Sequence, residues 1–251
     1  MLVIWLNIQK KRISNNSIAI SFVPYHLYRR YFLLSRKNWI YLLYNTISMV
    51  AIITGDIINS SKVDIDKWLP LLKATLLHFG KAPKQWDIYR GDSFQLKVDE
   101  PADALEVALI IKASVKTLKE LDVRMSMGFG DITHDAFRIT ESNGTAFIHS
   151  GERFETLKKD KINLAVKSDW EHFDLDINMF LKLALLTMDQ WTENSAEIVR
   201  LALLNPDKSQ AELGSLIGIK QNTVSTRLKR SAFDEIQAMN LLYRKKIKEL
   251  K

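Results

Sequence analysis

From Met49 onward the spacing of apolar residues switches repeatedly between two periods, and this switching narrows the fold more than any other feature of the chain. Val50, Ala51, Ile52 and Ile53 form an unbroken apolar run of strand length. Across residues 64–79, Ile65, Trp68, Leu69, Leu72, Leu76 and Phe79 recur at helical spacing. Two strand-like runs, 86–90 and 94–98, flank Gly91 and Asp92 and read as a hairpin with an acidic tip. Pro101 opens a second helix, with Leu105, Ala108, Leu109, Ile111, Val115 and Leu118 on its apolar face and acids near its start, where the helix dipole favours them. A strand over 122–130, a helix over 150–159 and a strand over 162–166 complete the order βαββαβαβ. Such helices and strands each have an apolar side to bury, so residues 49–170 are expected to form an α/β sandwich.

Residues 175–251 carry only the helical period. Helices are expected around 178–191 and 195–204, with Asn205, Pro206 and Asp207 as a stop and restart. Ser209 and Glu212 have the spacing of a capping box. Gly214 allows two helices to cross closely, and Gly218 permits a left-handed turn residue. Leu213, Ile217, Ile219, Val224 and Leu228 would pack those helices together, which is the pattern of a helix-turn-helix over 209–231. Packed this way, Lys220, Gln221, Asn222, Thr223, Ser225, Thr226, Arg227, Lys229 and Arg230 are left exposed. Amides and hydroxyls near a helix start, with cations behind them, suit base edges and phosphates; an ordinary helical hairpin with a solvated basic face has the same pattern. Over 232–251, Phe233, Ile236, Met239, Leu242, Tyr243 and Ile247 form a stripe that either the preceding helices or a second copy must cover.

Charge is distributed unevenly. Of the net charge of +7, residues 1–48 hold +7, residues 49–204 hold −5 and residues 205–251 hold +5, so only the two ends are candidate polyanion surfaces. The first 48 residues alternate apolar and basic clumps with no sustained period and no run of the roughly 20 apolar residues that a span needs. Three readings fit them: sequence upstream of a true start at Met49, an interfacial membrane anchor, or a structured extension. With no cysteine, the chain has no disulfide, thiolate metal site or cysteine nucleophile, which fits a reducing, cytoplasmic setting. The five histidines lack ligand spacing, and there is neither a nucleophile elbow nor a phosphate loop ending in Lys-Ser or Lys-Thr.

Two Gly-Asp pairs, Gly55-Asp56 and Gly91-Asp92, end strand-like runs. A small residue followed by a carboxylate lets backbone and charge approach a metal or phosphate, and it equally suits a turn closed by an Asx hydrogen bond. Arg90 could neutralise Asp92 internally. Asn59 and Ser60, with Ser61, suit either a phosphate at a helix start or a cap before Asp64. Ser142, Asn143 and Gly144 read as a turn, with substrate contact as the alternative.

The element order and the two Gly-Asp pairs resemble the catalytic domain of class III nucleotide cyclases, a ferredoxin-like variant. The resemblance implies that Asp56 and Asp92 would hold metal ions, with Mg2+ as the cofactor considered, on a nucleotide. It departs from the cyclase pattern at Ile88, where the family has a purine-reading Lys, and at His149, where it has a transition-state Asn; Arg153 matches the family's Arg. The segments 53–60, 89–95 and 142–147, with the helical C-terminal region, together resemble the SatD family of bacterial regulators over residues 49–251. These likenesses imply a DNA-binding transcriptional regulator whose degenerate cyclase-like domain senses a ligand, with no catalytic residues assigned. Ligand contacts would come from Asn59, Ser60, Arg90, Ser93, Asn143 and Arg153. Expected partners are duplex DNA, a nucleotide or phosphate ligand and a second copy, with no membrane if translation starts at Met49. The alternative is a two-metal enzyme acting on a nucleotide or phosphate ester, with the helical region as a docking module.

Overall fold

The computed structural model describes residues 9–13, 17–21 and 49–250. The chain divides into two compact units, Met1–Ile47 and Ser48–Lys251. In the first unit, strands β1 (Gln9–Ile13) and β2 (Ser17–Ser21) pair antiparallel. The remaining expectations for residues 1–48 lie outside the described residues. Among the described residues, no helix is long and apolar enough to cross a membrane.

The second unit is mixed α/β. Its sheet comprises β3 (Val50–Ile58), β4 (Trp86–Tyr89), β5 (Ser93–Val98), β6 (Asp122–Gly130) and β7 (Leu164–Lys167) in the order β4-β5-β3-β6-β7. β3 is central, antiparallel to both β5 and β6, and β7 joins parallel to β6. Eight helices surround it: α1 (Ile65–Leu77), α2 (Ala104–Val115), α3 (Thr145–Asp160), α4 (Glu171–Met188), α5 (Glu193–Leu204), α6 (Gln210–Leu216), α7 (Gln221–Arg230) and α8 (Phe233–Lys248).

Alternation along β3 divides the two faces of the sheet. Ala51, Ile53 and Ile57 point into the main core with α1 and α2, whereas Val50 and Ile52 meet Ala146 and Phe147 of α3. Gly128 makes the approach of α3 to β6 possible, because a Cβ there would lie 2.2 Å from the backbone nitrogen of Ser150. Three hydroxyls tie the two layers together: Ser150 donates to Thr54 (2.5 Å), and Ser126 donates to the Ser150 carbonyl (2.7 Å). α3 begins at Thr145, five residues earlier than its apolar spacing suggests. The carboxylate of Asp131 accepts from the Thr145 backbone N–H (3.0 Å) and hydroxyl (2.5 Å), supplying the cap that fixes the start.

α2 is buried on every side, including Val107, Ile110 and Ala113, which lie off its expected stripe. A helix apolar all round needs cover on both faces, and α5 and α8 provide it opposite the sheet. The main core therefore runs from Ala51 to Ile247, across the boundary between 170 and 175 that the change of apolar period suggested. Lys112 is completely buried within α2, its ammonium donating to Asp122 and Asp189 at 2.7 Å each. The stripe of α8 is covered within the chain except at Leu242, which is exposed: Tyr243 packs against Phe129 and Phe173, and its hydroxyl donates to the Pro101 carbonyl. Burial pushes the Tyr243 phenol well above its ordinary value.

Candidate nucleic-acid interface and strand-end cluster

α5, α6 and α7 enclose a core of their own, made by Ile198, Ala202, Leu213, Val224 and Leu228, with Ile217 and Ile219 packed against it. α6 starts on a complete capping box. Ser209 accepts from the Glu212 N–H at 3.3 Å, and the Glu212 carboxylate accepts from the Ser209 N–H at 2.8 Å. The Ser209 hydroxyl also donates to the Glu212 carboxylate at 2.6 Å, and this bond first, with that from the Ser209 N–H, holds the Glu212 carboxyl below its ordinary value. Between α6 and α7 the chain turns on Gly218 at φ 69°, while the N–H groups of Ile217 and Ile219 both donate to the Gly214 carbonyl. Gly214 is where the two helices meet: a Cβ there would stand 2.5 Å from the Ile219 carbonyl oxygen.

With Val224 and Leu228 facing inward, Lys220, Gln221, Asn222, Thr223, Ser225, Thr226, Lys229 and Arg230 are all exposed. Arg227 is different. Its guanidinium donates to Glu197 of α5 at 3.0 Å and its side chain is only 18% exposed, so it braces α7 instead of standing free. Thr226 donates back to the Asn222 carbonyl, and Gln221 reaches Gln210 at 3.2 Å. Behind α7, the buried Ser231 carbonyl accepts from the Trp191 indole at 3.0 Å, fixing the end of the helix to the α4–α5 junction.

The second cluster lies where β3, β5 and β6 run side by side. Asp56 sits within β3, two residues before its end, between Ser93 on β5 and Arg124 on β6. Arg124 grips it in bidentate fashion, with Nη2 to Oδ2 at 2.6 Å and Nε to Oδ1 at 3.1 Å. The sequence points to Arg90 as a neutraliser of Asp92 and to no partner for Asp56, and so misses Arg124. Alternation along β6 puts Arg124 and Ser126 on one face and Val123, Met125 and Met127 on the other, which marks the face of Arg124 and leaves its partner to the strand pairing. Gly91-Asp92 does form the hairpin tip, with Arg90 at φ 53° and Gly91 at φ 90°. Asp92 accepts from the Ser60 hydroxyl at 2.6 Å, and its carbonyl takes the Ile57 N–H at 3.2 Å, which brings the tip against the end of β3. Tyr89 stands nearby; its phenol is raised first by burial and then by the charges of Asp56 and Glu155, against the opposing effect of Arg90.

Three of the expected ligand contacts, Asn59, Asn143 and Arg153, do not converge here. Asn59 adopts a left-handed conformation and donates to the Glu120 carbonyl at 2.9 Å, and Ser60 begins a short 3-10 turn, so α1 is capped by Asp64. Asn143 closes its own turn, accepting from Gly144 N–H at 2.8 Å while its backbone pairs with His134. Arg153 lies on the side of α3 that faces β7 and α4. There it bonds Asp160 and Thr156 at 2.8 Å each, beside Val166 and Asn178. His149 is buried against the Phe129 carbonyl at 2.7 Å. Among the described residues, no group of three or more His, Cys, Asp or Glu is placed to hold a metal ion. No family model and no curated protein matches the chain.

Proposed function

We propose that this chain is a DNA-binding transcriptional regulator that reads duplex DNA with α7, the second helix of a helix-turn-helix, and carries a degenerate, ferredoxin-like and cyclase-like α/β layer as a ligand sensor. The supporting observation is the division of α7 into two sides. Its buried side holds only Val224 and Leu228, and its outward side presents amides and hydroxyls first and Lys229 and Arg230 last. Such an arrangement lets the front of the helix meet base edges while the cations meet phosphates. Arg227 has a positioning role in this reading, because Glu197 already holds it. The helices rest on the same core as the sheet through α5 and α8, so a ligand that shifts α2 or α8 has a physical route to α7.

The sensor part rests on the strand-end cluster. As it stands, Asp56 is neutralised by Arg124, whereas Asp92 keeps its charge and accepts a hydrogen bond from the neutral Ser60 hydroxyl. A Mg2+ ion held by the two carboxylates would therefore have to displace Arg124, and no chemical step is assigned to it. Magnesium titration of the wild type and of Arg124→Ala tests this directly: the proposal expects binding to strengthen when the guanidinium is removed. Likeness to the SatD family is part of the same proposal and rests on the sequence segments alone. The regulator reading is tested by selecting bound duplexes from a random pool with the full chain. Recovery of a recurrent sequence supports it, and recovery of none removes it.

A further inference from the structure

α4 buries Phe173, Ile177, Leu181, Leu185 and Met188 and still shows a second apolar line to solvent. Leu175, Met179, Leu183 and Leu186 are 62%, 58%, 58% and 73% exposed, at spacings of four, four and three residues. On a helix these four positions fall within about 40° of Met179, forming one continuous ridge of the i±4 type. α8 runs beside this ridge, where its Lys246 bonds Asp176 of α4 at 2.7 Å.

We propose that this ridge is the contact between two copies of the chain, with α4 packing on α4 of a second copy about a twofold axis. Two observations select a second copy. The first is shape: an i±4 ridge interdigitates best with another i±4 ridge, and a twofold axis supplies an identical one. The second is area. The four side chains expose roughly 450 Å² per subunit, so a face-to-face pair that also covers their polar neighbours reaches about 1,000 Å², the lower limit for a weak, reversible interface. A contiguous patch of this size is at the scale of a monomer's largest, which is often functional, whereas single exposed leucines elsewhere need no partner. The buried side of α8, the other candidate for self-pairing, is already spent on Phe129 and Phe173.

Self-pairing is measured on the full chain without DNA, so its outcome is separate from that of the DNA reading. Sedimentation velocity over a concentration series should show a monomer–dimer equilibrium. Leu183→Glu should weaken it by at least roughly 100-fold, since a carboxylate would be buried unpaired at the centre of the ridge. Leu186→Lys should act in the same direction and guards against a folding defect in the first variant. Leu77→Glu, at a leucine 59% exposed on α1, should leave the dimer intact, and circular dichroism should show all three variants folded. Because the chain has no cysteine, Met179→Cys gives a background-free cross-link between copies through a short bis-maleimide. A wild-type chain that stays monomeric overturns the proposal. So does a dimer whose affinity is the same in Leu183→Glu and Leu186→Lys.

Discussion

Replacing Gly214 with alanine tests the geometry on which the presentation of α7 depends. The added methyl would stand 2.5 Å from the Ile219 carbonyl oxygen and 3.2 Å from Cγ2 of Val224, where ordinary contact begins at 3.4 Å. The side chain of Val224 can give by a few tenths of an ångström. The carbonyl cannot move without disturbing the turn, whose N–H at Ile219 is bonded back to Gly214 at 2.9 Å. α6 and α7 must therefore separate by about 0.9 Å, the shortfall from ordinary contact. Alanine offsets part of this cost, being better than glycine inside a helix by about 1 kcal/mol. Overpacking a closed contact costs roughly 1–3 kcal/mol, and a backbone obstacle places this site at the upper end, leaving a net loss of about 1–2 kcal/mol. Amide hydrogen exchange at Val224 and Leu228 reports this segment, and about 1.4 kcal/mol appears as tenfold faster exchange. Exchange in Gly214→Ala that is equal to or slower than wild type would refute the close crossing.

Four further outcomes follow from contacts elsewhere. Lys112→Met leaves Asp122 with Lys116 and Asp189 with Asn163, so denaturant melts should show a loss of about 2 kcal/mol, below the roughly 3–5 kcal/mol of a fully buried broken pair. Tyr243→Phe removes one hydrogen bond to a carbonyl that also accepts from Ala104; the expected loss by the same assay is about 1 kcal/mol. Ser209→Ala removes an N-cap and should cost about 1 kcal/mol locally. The contribution of Glu212 has a definite pH sense: its folded value lies below the ordinary 4.5, so the stabilisation is complete above pH 4.5 and is lost as pH falls through the folded value. Exchange protection of α6 should therefore decline on acidification in the wild type, and much less in Glu212→Gln.

The periodic switching from Met49 onward carries the mixed α/β character and the hairpin, because strands and helices with one buried side write their spacing into the chain. The mini-core of α5, α6 and α7 is legible for the same reason, down to Val224 and Leu228. Long-range pairings are less legible. Nothing local to Arg124 announces Asp56, which becomes its neighbour only when β6 pairs with β3. Arg227 looks like its exposed neighbours until α5 brings Glu197 within reach. The continuity of the core past residue 170 had a signal, the apolar residues on every side of α2, which a one-stripe reading of that helix passes over. Arg153 is expected from the motif likeness to meet a ligand, and the pairing of α3 with β7 instead sets it beside Val166, bonded to Thr156 and Asp160.

The dependence of duplex affinity on salt tests the central claim most directly. If α7 meets DNA as proposed, fluorescence anisotropy with labelled duplex will show the logarithm of the association constant falling linearly with the logarithm of salt concentration. The double variant Lys229→Ala, Arg230→Ala will then flatten that slope by about 1.8, the counterion release of two phosphate contacts. A slope identical in wild type and double variant, or no salt-dependent binding at all, would contradict the assignment of α7 as the reading helix.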